Sequence, residues 1–198
     1  MFRLAPLLQL VFQTQCLPTG YHPWFSHAIA TQPFASKRNH YQTLLLGTSE
    51  SPDLLEAFEK LLPHLPEPRL LSDIVQELRE NLRFFPDAML GEVGLDRSFR
   101  LPIDYYSSPR ELTPFTIPIE HQLTILEAQL DLAVELGRNI SFHSVKSQQA
   151  TITLLDKMRS RHSECWRKIS IDFHSCGFSP ETWRSIEASV LQSLLRYF

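Results

Sequence analysis

Apolar residues recur three and four positions apart in five stretches of the chain, and this spacing predicts five amphipathic helices. A serine followed by a proline, a favourable pair for a helix start, opens the first helix at Ser51 and the last at Ser179. Pro63 ends the first helix and Gly137 ends the third. The predicted helices cover residues 51–62, 72–85, 119–136 and 148–159, and the fifth begins at residue 179 and presents Trp183, Ile186, Val190, Leu191 and Leu194 on one side.

Short apolar segments alternate with the later helices and predict a parallel α/β sheet or barrel. The predicted strands are residues 88–96, 139–143 and 169–174, so that strand and helix alternate from residue 88 onward. Residues 41–46 are predicted as a short buried strand or as a helix end, because periodicity does not separate the two. The proline-rich residues 97–118 are predicted as a long loop.

The composition is that of one globular unit. The chain has 198 residues, of which 43% are hydrophobic. Its formal net charge of -3 provides no overall positive field for nucleic acid, so any phosphate binding has to be local. Cys16, Cys165 and Cys176 are odd in number and form no CxxC pair, which indicates reduced thiols rather than a disulfide framework.

No apolar stretch approaches the roughly 20 residues that span a bilayer. Residues 4–12 are apolar in the manner of a secretion signal, but Pro6 and Gln9 interrupt them and no A-x-A cleavage site follows. We therefore expect an intracellular protein, in the cytoplasm or nucleus, with no membrane contact.

Three potential metal ligands end the three predicted strands: Glu92 the first, His143 the second and His174 the third. The carboxyl ends of parallel strands meet on one face of a barrel, so these side chains are expected to share one pocket. One carboxylate with two imidazoles suits a divalent transition metal such as zinc, manganese or iron. Taken singly, each histidine is more often an ordinary hydrogen-bonded residue.

Four motifs make the sequence similar to the TatD-like metal-dependent hydrolases. Residues 91–96, GEVGLD, resemble the family's GE(I/V)GLD motif, and residues 20–24, GYHPW, resemble its G-x-HP loop. The third predicted helix and the strand that ends at His143 resemble its QL-x-LA-x-EL segment and following histidine strand. Residues 174–177, HSCG, resemble its H-x-FSG element, with Cys176 where phenylalanine is usual.

The resemblance implies an incomplete TIM-like (β/α) barrel over residues 20–198, after a divergent segment at residues 1–19. It also implies a two-metal centre that hydrolyses phosphodiester bonds, typically in DNA, with a divalent ion such as zinc, magnesium or manganese. The residues carried over are Glu92 as the bridging carboxylate, His143 and His174 as ligands of the second metal, and His22 and Arg97 near the substrate.

The long loop that contains Arg97 and Arg100 most resembles a fungal branch of the family. That branch is named for interaction with a subunit of the cell-division ubiquitin-ligase machinery. The resemblance therefore implies a protein partner in that machinery as well as a DNA or other phosphodiester substrate.

Two features of the family pattern are missing from this sequence. The family's first strand carries an H-x-H pair for the first metal, and this chain contains no H-x-H. Its closing aspartate lies beyond the H-x-FSG element, and no aspartate follows His174. We therefore expect one metal site and weak or absent activity. Because a complete barrel takes about 250 residues, we also expect a chain truncated at both ends.

Two other functions fit the same residues. The chain is a non-catalytic interaction protein if the barrel remnant is kept only as a binding surface, which the missing ligands favour. It is a hydrolase of the broader amidohydrolase-like group if it acts on a small ester or amide rather than on DNA.

Overall fold

The secondary structure follows the predicted alternation of helices and strands. The computed structural model describes residues 19–184 and residue 186. The strands are β1 (Ile29–Ala30), β2 (Arg69–Leu70), β3 (Leu90–Asp96), β4 (Ile140–Val145) and β5 (Ile171–His174). The helices are α1 (Lys37–Tyr41), α2 (Pro52–Leu61), α3 (Leu71–Phe84), α4 (Ile119–Leu136), α5 (Gln148–His162) and α6 (Glu164–Arg167), with 3-10 helices at Pro23–Ala28 and Leu62–His64 and a π-helical turn at Gln42–Leu46.

The strands form two parallel sheets. β3, β4 and β5 lie side by side in that order, and β1 pairs with β2 separately. The predicted parallel α/β arrangement is therefore confirmed. Within residues 19–184 neither sheet closes into a barrel.

The three-stranded sheet has one apolar face and one polar face. Phe142 of β4 lies opposite Val93 of β3 and Phe173 of β5, and the apolar face packs against α4 and α5 in the main core. An irregularity in β3 sets Leu90 opposite Ile140 and Val93 opposite Phe142, so Leu90 and Val93 both face the core. Glu92 is thereby directed to the polar face.

The long loop between β3 and α4 is anchored by a second core. Leu101 and Phe115 of this loop are buried against Tyr41, Phe58 and Leu61. The two arms of the loop also pair, because the Leu101 amide donates to the Phe115 carbonyl at 3.0 Å and the Thr113 amide to the Leu101 carbonyl at 2.9 Å. The loop has no helix or strand of its own, but it is packed and hydrogen-bonded.

Several sequence predictions need correction or lie outside the described residues. Residues 41–46 are a helix end rather than a strand. Ser51 is the N-cap of α2, but its side chain makes no capping hydrogen bond. The last predicted helix is helical over residues 180–184. Its residues Val190, Leu191 and Leu194 lie outside the described part of the chain, as do residues 1–18 of the predicted N-terminal segment 1–19.

Two further observations concern the thiols and the helices. Cys165 and Cys176 are both free. Between residues 19 and 184, no helix combines the length and apolar character that crossing a membrane requires.

Candidate metal centre

Three imidazole rings converge on one carboxylate oxygen at the polar face of the sheet. Glu92 Oε1 lies 2.7 Å from His174 Nε2, 2.9 Å from His143 Nδ1 and 3.3 Å from His22 Nε2. His143 is buried, whereas the Glu92 side chain is 38% exposed. The cluster is therefore buried on the side of His143 and open to solvent on the side of Glu92.

The glycine between Glu92 and Asp96 makes this convergence sterically feasible. A Cβ atom at Gly94 would lie 1.9 Å from the carbonyl oxygen of His143, which faces it across the β3–β4 pair. Gly94 also has a φ of 153°, a conformation that side chains disfavour. The glycine thus lets β4 approach closely enough for the His143 ring to reach Glu92.

Asp96 orients the buried His143 ring. His143 Nε2 lies 3.3 Å from Asp96 Oδ2, while the indole N–H of Trp24 donates to the same oxygen at 2.7 Å. Asp96 Oδ1 accepts from the amide and hydroxyl of Ser98, both at 2.7 Å. Nδ1 of the same ring lies 2.9 Å from Glu92 Oε1. When Nε2–H donates to Asp96, the Nδ1 lone pair is available to an ion, as in many metal-bound histidines.

His174 has a comparable arrangement on the neighbouring strand. Its Nδ1 lies 3.2 Å from the Ser141 hydroxyl of β4. With its proton on Nε2, His174 donates to Glu92 Oε1 and Nδ1 accepts from the hydroxyl; with its proton on Nδ1, the ring donates to the hydroxyl and its Nε2 lone pair is available to an ion. His174 and His143 therefore both present a ring nitrogen suitable for a metal ion.

His22 differs from the other two histidines. Its Nδ1 accepts a hydrogen bond from the Trp24 amide at 3.2 Å, where it caps the 3-10 helix Pro23–Ala28. A neutral ring that accepts at Nδ1 carries its proton on Nε2. His22 therefore faces Glu92 as a hydrogen-bond donor. By distance alone, a ring nitrogen of His22 is also close enough to Glu92 and His143 to be a metal ligand.

Two buried glutamines of α4 hold the segments that carry these residues. Gln122 accepts from the Asp96 amide at 2.8 Å and donates to the Asp96 carbonyl at 3.0 Å, which fixes the end of β3. Gln129 accepts from the Tyr21 amide at 2.7 Å and donates to its carbonyl at 3.3 Å, next to His22. The two glutamines are two helical turns apart, so a single face of α4 positions both segments.

The environment of the cluster favours neutral His22 and ionised carboxylates. Burial, reinforced by the neighbouring His143, lowers the pKa of His22 to about 4. Burial opposes ionisation of Glu92, but the hydrogen bond from His174 and the nearby imidazoles hold its pKa below the ordinary value. For Asp96 the opposing effect of burial is outweighed by the hydrogen bonds from Trp24 and Ser98, so its pKa is also lowered.

The types of donor in the cluster suit a divalent transition-metal ion. Glu92, His143 and His174 supply one carboxylate and two imidazoles, a combination that catalytic zinc sites use with one position left open. The 2.7 Å between Glu92 Oε1 and His174 Nε2 is shorter than the about 3.3 Å that separates two ligands of a tetrahedral zinc ion. The ligand atoms of His22, Glu92 and His143 all lie within 4.8 Å of one another, and His174 is not part of that group. To bind one ion together with Glu92, the rings of His143 and His174, whose centroids are 6.4 Å apart, would have to move closer to each other.

The structure brings together four of the five site residues predicted from the sequence: Glu92, His143, His174 and His22. Glu92 is the third residue of β3 rather than its last, and Asp96 ends the strand. Arg97 follows Asp96, is exposed, and makes no side-chain hydrogen bond or ion pair with residues 19–184. It borders the cluster without contacting it.

Asp96 and Trp24 are two site residues that the sequence analysis does not identify. Asp96 belongs to the glutamate motif, and its spacing of four residues from Glu92 directs both side chains to the same face of a strand, which is a usable signal. Trp24 contacts Asp96 across 72 positions of sequence, which no local pattern encodes.

Two fungal proteins are similar to the chain. It is 33% identical over 150 residues to Cut9-interacting protein scn1 of Schizosaccharomyces pombe, covering 70% of this chain and 42% of that protein. It is 31% identical over 173 residues to the uncharacterized deoxyribonuclease YMR262W of Saccharomyces cerevisiae, covering 84% and 50% respectively. The chain therefore spans about half the length of these curated relatives. No protein-family profile and no solved structure matches it.

The fold and the site define an α/β protein with carboxylate and imidazole donors gathered on parallel strands. Together with the motifs and the two relatives, they identify the family. The chain belongs to the fungal branch of the TatD-like family.

Proposed function

We propose that the protein is a metal-dependent hydrolase of phosphodiester bonds in DNA, with Glu92, His143 and His174 as ligands of one divalent ion. The observation that carries this proposal is the convergence of both imidazoles on Glu92 Oε1, at 2.9 and 2.7 Å. The name of the budding-yeast relative, a deoxyribonuclease, supports DNA as the substrate. An incomplete TIM-like barrel is the architecture that fits the parallel strands.

The ion would be zinc, magnesium or manganese, and the two imidazoles favour zinc or manganese over magnesium. When bound, it would activate water and polarise a phosphoryl oxygen. Asp96 would keep His143 in the tautomer that presents the Nδ1 lone pair to the ion. Ser141 would accept from Nδ1–H of His174 and so keep His174 in the tautomer that presents the Nε2 lone pair. These two residues act as positioning residues.

His22 and Arg97 would contact the substrate. Neutral His22 has its Nε2–H directed into the cluster and can donate to a phosphate oxygen without competing for the ion. Arg97 has an exposed guanidinium beside the end of β3 and would provide local positive charge in a chain of net charge -3. A guanidinium can bind two phosphate oxygens at once.

We expect this activity to be weak. In a two-metal centre the second ion stabilises the opposite oxygen of the displacement, and the H-x-H pair that would hold another ion is missing from the sequence. A single ion can still provide Lewis-acid catalysis.

Metal content and DNA hydrolysis of the purified chain test this proposal. Glu92→Ala and His143→Ala should each abolish cleavage and remove the metal, while the exposed His64→Ala should leave both unchanged. Cleavage that survives Glu92→Ala would show that this cluster is not the catalytic site. Hydrolysis of a small ester or amide, with none of DNA, would favour an amidohydrolase-like activity.

A second candidate is a non-catalytic interaction protein. It is favoured by the missing ligands and by the name of the fission-yeast relative, which describes an interaction with Cut9. A partner in the cell-division machinery, met in the cytoplasm or nucleus, would then bind a surface of the α/β unit. Partner binding that is unaffected by Glu92→Ala, together with no hydrolysis by the wild-type chain, would support this alternative.

A further inference from the structure

A groove lies between α2 and the long loop that joins β3 to α4. Its volume is about 250 Å³, and we call it the α2–loop groove. One wall is an exposed face of α2, on which Asp53, Glu56 and Lys60 lie three and four residues apart. The other wall is the returning arm of the loop, with Glu111 and Leu112. Neither wall contains a residue of the candidate metal centre.

The second core holds both walls of the groove in place. α2 packs into this core through Leu61, which is fully buried. On the loop, Thr113 is buried next to Leu112, and its amide donates to the Leu101 carbonyl at 2.9 Å. Leu112 itself forms an antiparallel bridge with Pro102. A surface that is already fixed loses little conformational entropy when it binds a partner.

Leu112 gives the groove an exposed apolar side chain. This residue is 58% exposed, and Ala57, Ile103 and Pro114 add apolar surface around it. A single exposed leucine is ordinary on a protein surface. Its position in a groove with further apolar atoms is what distinguishes Leu112, because a partner that enters the groove removes all of this surface from water at once.

The charged side chains of the groove are mainly acidic. Lys60, the cation that lines it, lies 2.7 Å from Glu56 and is already paired. Within residues 19–184 the carboxylates of Asp53 and Glu111 make no hydrogen bond or ion pair, although Glu111 attracts Lys60 from a longer distance. Asp53 lies in the first turn of α2, where a carboxylate stabilises the helix. Glu111 has no such role in a helix.

The charge and the apolar surface together select the kind of ligand. An excess of carboxylates repels phosphates, so neither nucleic acids nor phosphorylated small molecules are complementary to the groove. A basic side chain is complementary to the carboxylates, and a guanidinium can bind two carboxylate oxygens at once. A peptide that carries a basic and an apolar side chain next to each other matches both features.

We infer that the α2–loop groove binds a segment of a protein partner in which an arginine or lysine lies next to a leucine. The apolar side chain of that segment packs on Leu112, and its cation faces Glu111 and Asp53. The inference goes beyond the metal centre and is independent of it, because no residue of the groove is proposed as a metal ligand or as a substrate contact.

The test is the binding of three short labelled peptides to the full chain, measured by fluorescence anisotropy. The first peptide repeats leucine and arginine between glycines, the second has serine in place of leucine, and the third has glutamate in place of arginine. The groove variant combines Glu111→Gln with Leu112→Ser. The matched control combines Phe84→Ser with Asp87→Asn, which removes one exposed apolar side chain and one exposed carboxylate before the opposite end of β3.

Wild type and the control should bind the leucine–arginine peptide more tightly than either other peptide. The groove variant should bind it about 10-fold or more weakly, because it loses an apolar contact and an ion pair. Glu111→Gln alone, a surface change, should weaken binding about 2- to 5-fold. Equal affinities of wild type and the groove variant, equal binding of the leucine and serine peptides, or no binding of any peptide would overturn the inference.

A second copy of the chain is the alternative occupant, and sedimentation of the protein without peptide tests for it. Wild type and the groove variant should sediment alike. A wild-type dimer that the groove substitutions dissociate would show that the groove joins two copies, and this result would also overturn the inference. The groove variant should bind as much metal as wild type, so that a failure of peptide binding and a failure of the proposed function are seen separately.

Discussion

At the scale of single residues, Asp96 joins the candidate metal centre to the loops that carry Trp24, Ser98 and Phe99. One of its oxygens faces His143 and Trp24, and the other accepts from Ser98 and from the Phe99 amide at 3.1 Å. The indole N–H of Trp24 and the backbone amides of Ser98 and Phe99 can only donate, so both oxygens of the carboxylate are needed as acceptors. The free energy of unfolding should therefore change when a substitution keeps the shape of the Asp96 side chain but alters its hydrogen bonds.

Asp96→Asn should lower the free energy of unfolding by about 1–3 kcal/mol, because its amide group turns a donor toward Trp24 or Ser98 at a buried position. Urea unfolding monitored by tryptophan fluorescence measures the change. Asp172→Asn is the matched control, since Asp172 is exposed on β5. An Asp96→Asn protein as stable as wild type would show that these hydrogen bonds contribute little.

At the scale of elements, the site depends on the close approach of β3 and β4. Gly94→Ala would bring a methyl group against the His143 carbonyl, at 1.9 Å before any shift, and would force the strands apart. Gly137 offers a comparison, because it caps α4 at a φ of 62° and a Cβ atom added there would meet nothing within 4 Å.

Gly94→Ala should cost about 3 kcal/mol or more and should displace His143 from Glu92. Gly137→Ala should cost only about 1 kcal/mol, because its left-handed backbone is strained but unobstructed. Thermal unfolding of both variants distinguishes the two effects. Equal losses of stability would contradict the close approach of β3 and β4 at Gly94.

The 3-10 helix Pro23–Ala28 is the second element on which the site depends. Three histidines donate to its carbonyls: His27 to Trp24 at 2.9 Å, His121 to Ser26 at 2.9 Å and His40 to His27 at 2.8 Å. Burial lowers the pKa of His27 to about 4 and also lowers the pKa of His121. The folded protein therefore binds fewer protons than the unfolded chain at mildly acidic pH.

Stability should consequently fall as the pH drops below about 6.5, the ordinary pKa of histidine. The loss continues until the pH reaches the folded pKa of about 4. His27 alone should contribute about 2 kcal/mol of this loss at pH 5 relative to about pH 7.5. Urea unfolding at both pH values should show a smaller difference for His27→Gln than for wild type and for the exposed His64→Gln. An equal difference in all three proteins would mean that His27 is not buried as a neutral ring.

Elements with strong local signals could be predicted from the sequence. α4 spans the predicted residues because the chain leaves Pro118 at its start and reaches the left-handed Gly137 at its end. β4 extends beyond the predicted His143 to Val145, because Val145 pairs with Asp96 of β3. Such pairing is a long-range contact that periodicity does not contain. For the same reason the motifs identify Glu92 and His143, whereas no motif identifies Trp24 as a partner of Asp96.

At the scale of the whole molecule, the described residues form two cores and one candidate metal site. The main core supports the sheet that carries Glu92, His143 and His174, and the second core anchors the long loop that carries Tyr105. The chain spans about half the length of its curated relatives, 42% and 50% of the two. The three ligands that we propose all lie on the sheet of the main core, Glu92 on β3, His143 on β4 and His174 on β5.

A bound ion would also stabilise the whole molecule. A ligand at about one hundred times its dissociation constant adds about 2.7 kcal/mol to the free energy of unfolding when the unfolded chain does not bind it. The melting temperature should accordingly rise with zinc or manganese for wild type, and it should rise less for Glu92→Gln.

The most direct measurement is the metal stoichiometry of the full chain after stripping with a chelator and reloading with zinc or manganese, by mass spectrometry of the metal. Wild type and His64→Gln should retain about one ion per chain, and Glu92→Gln, His143→Gln and His174→Gln should each retain far less. Equal retention by wild type and all three site variants, or no metal in any of them, would contradict the assignment of Glu92, His143 and His174 as a metal site.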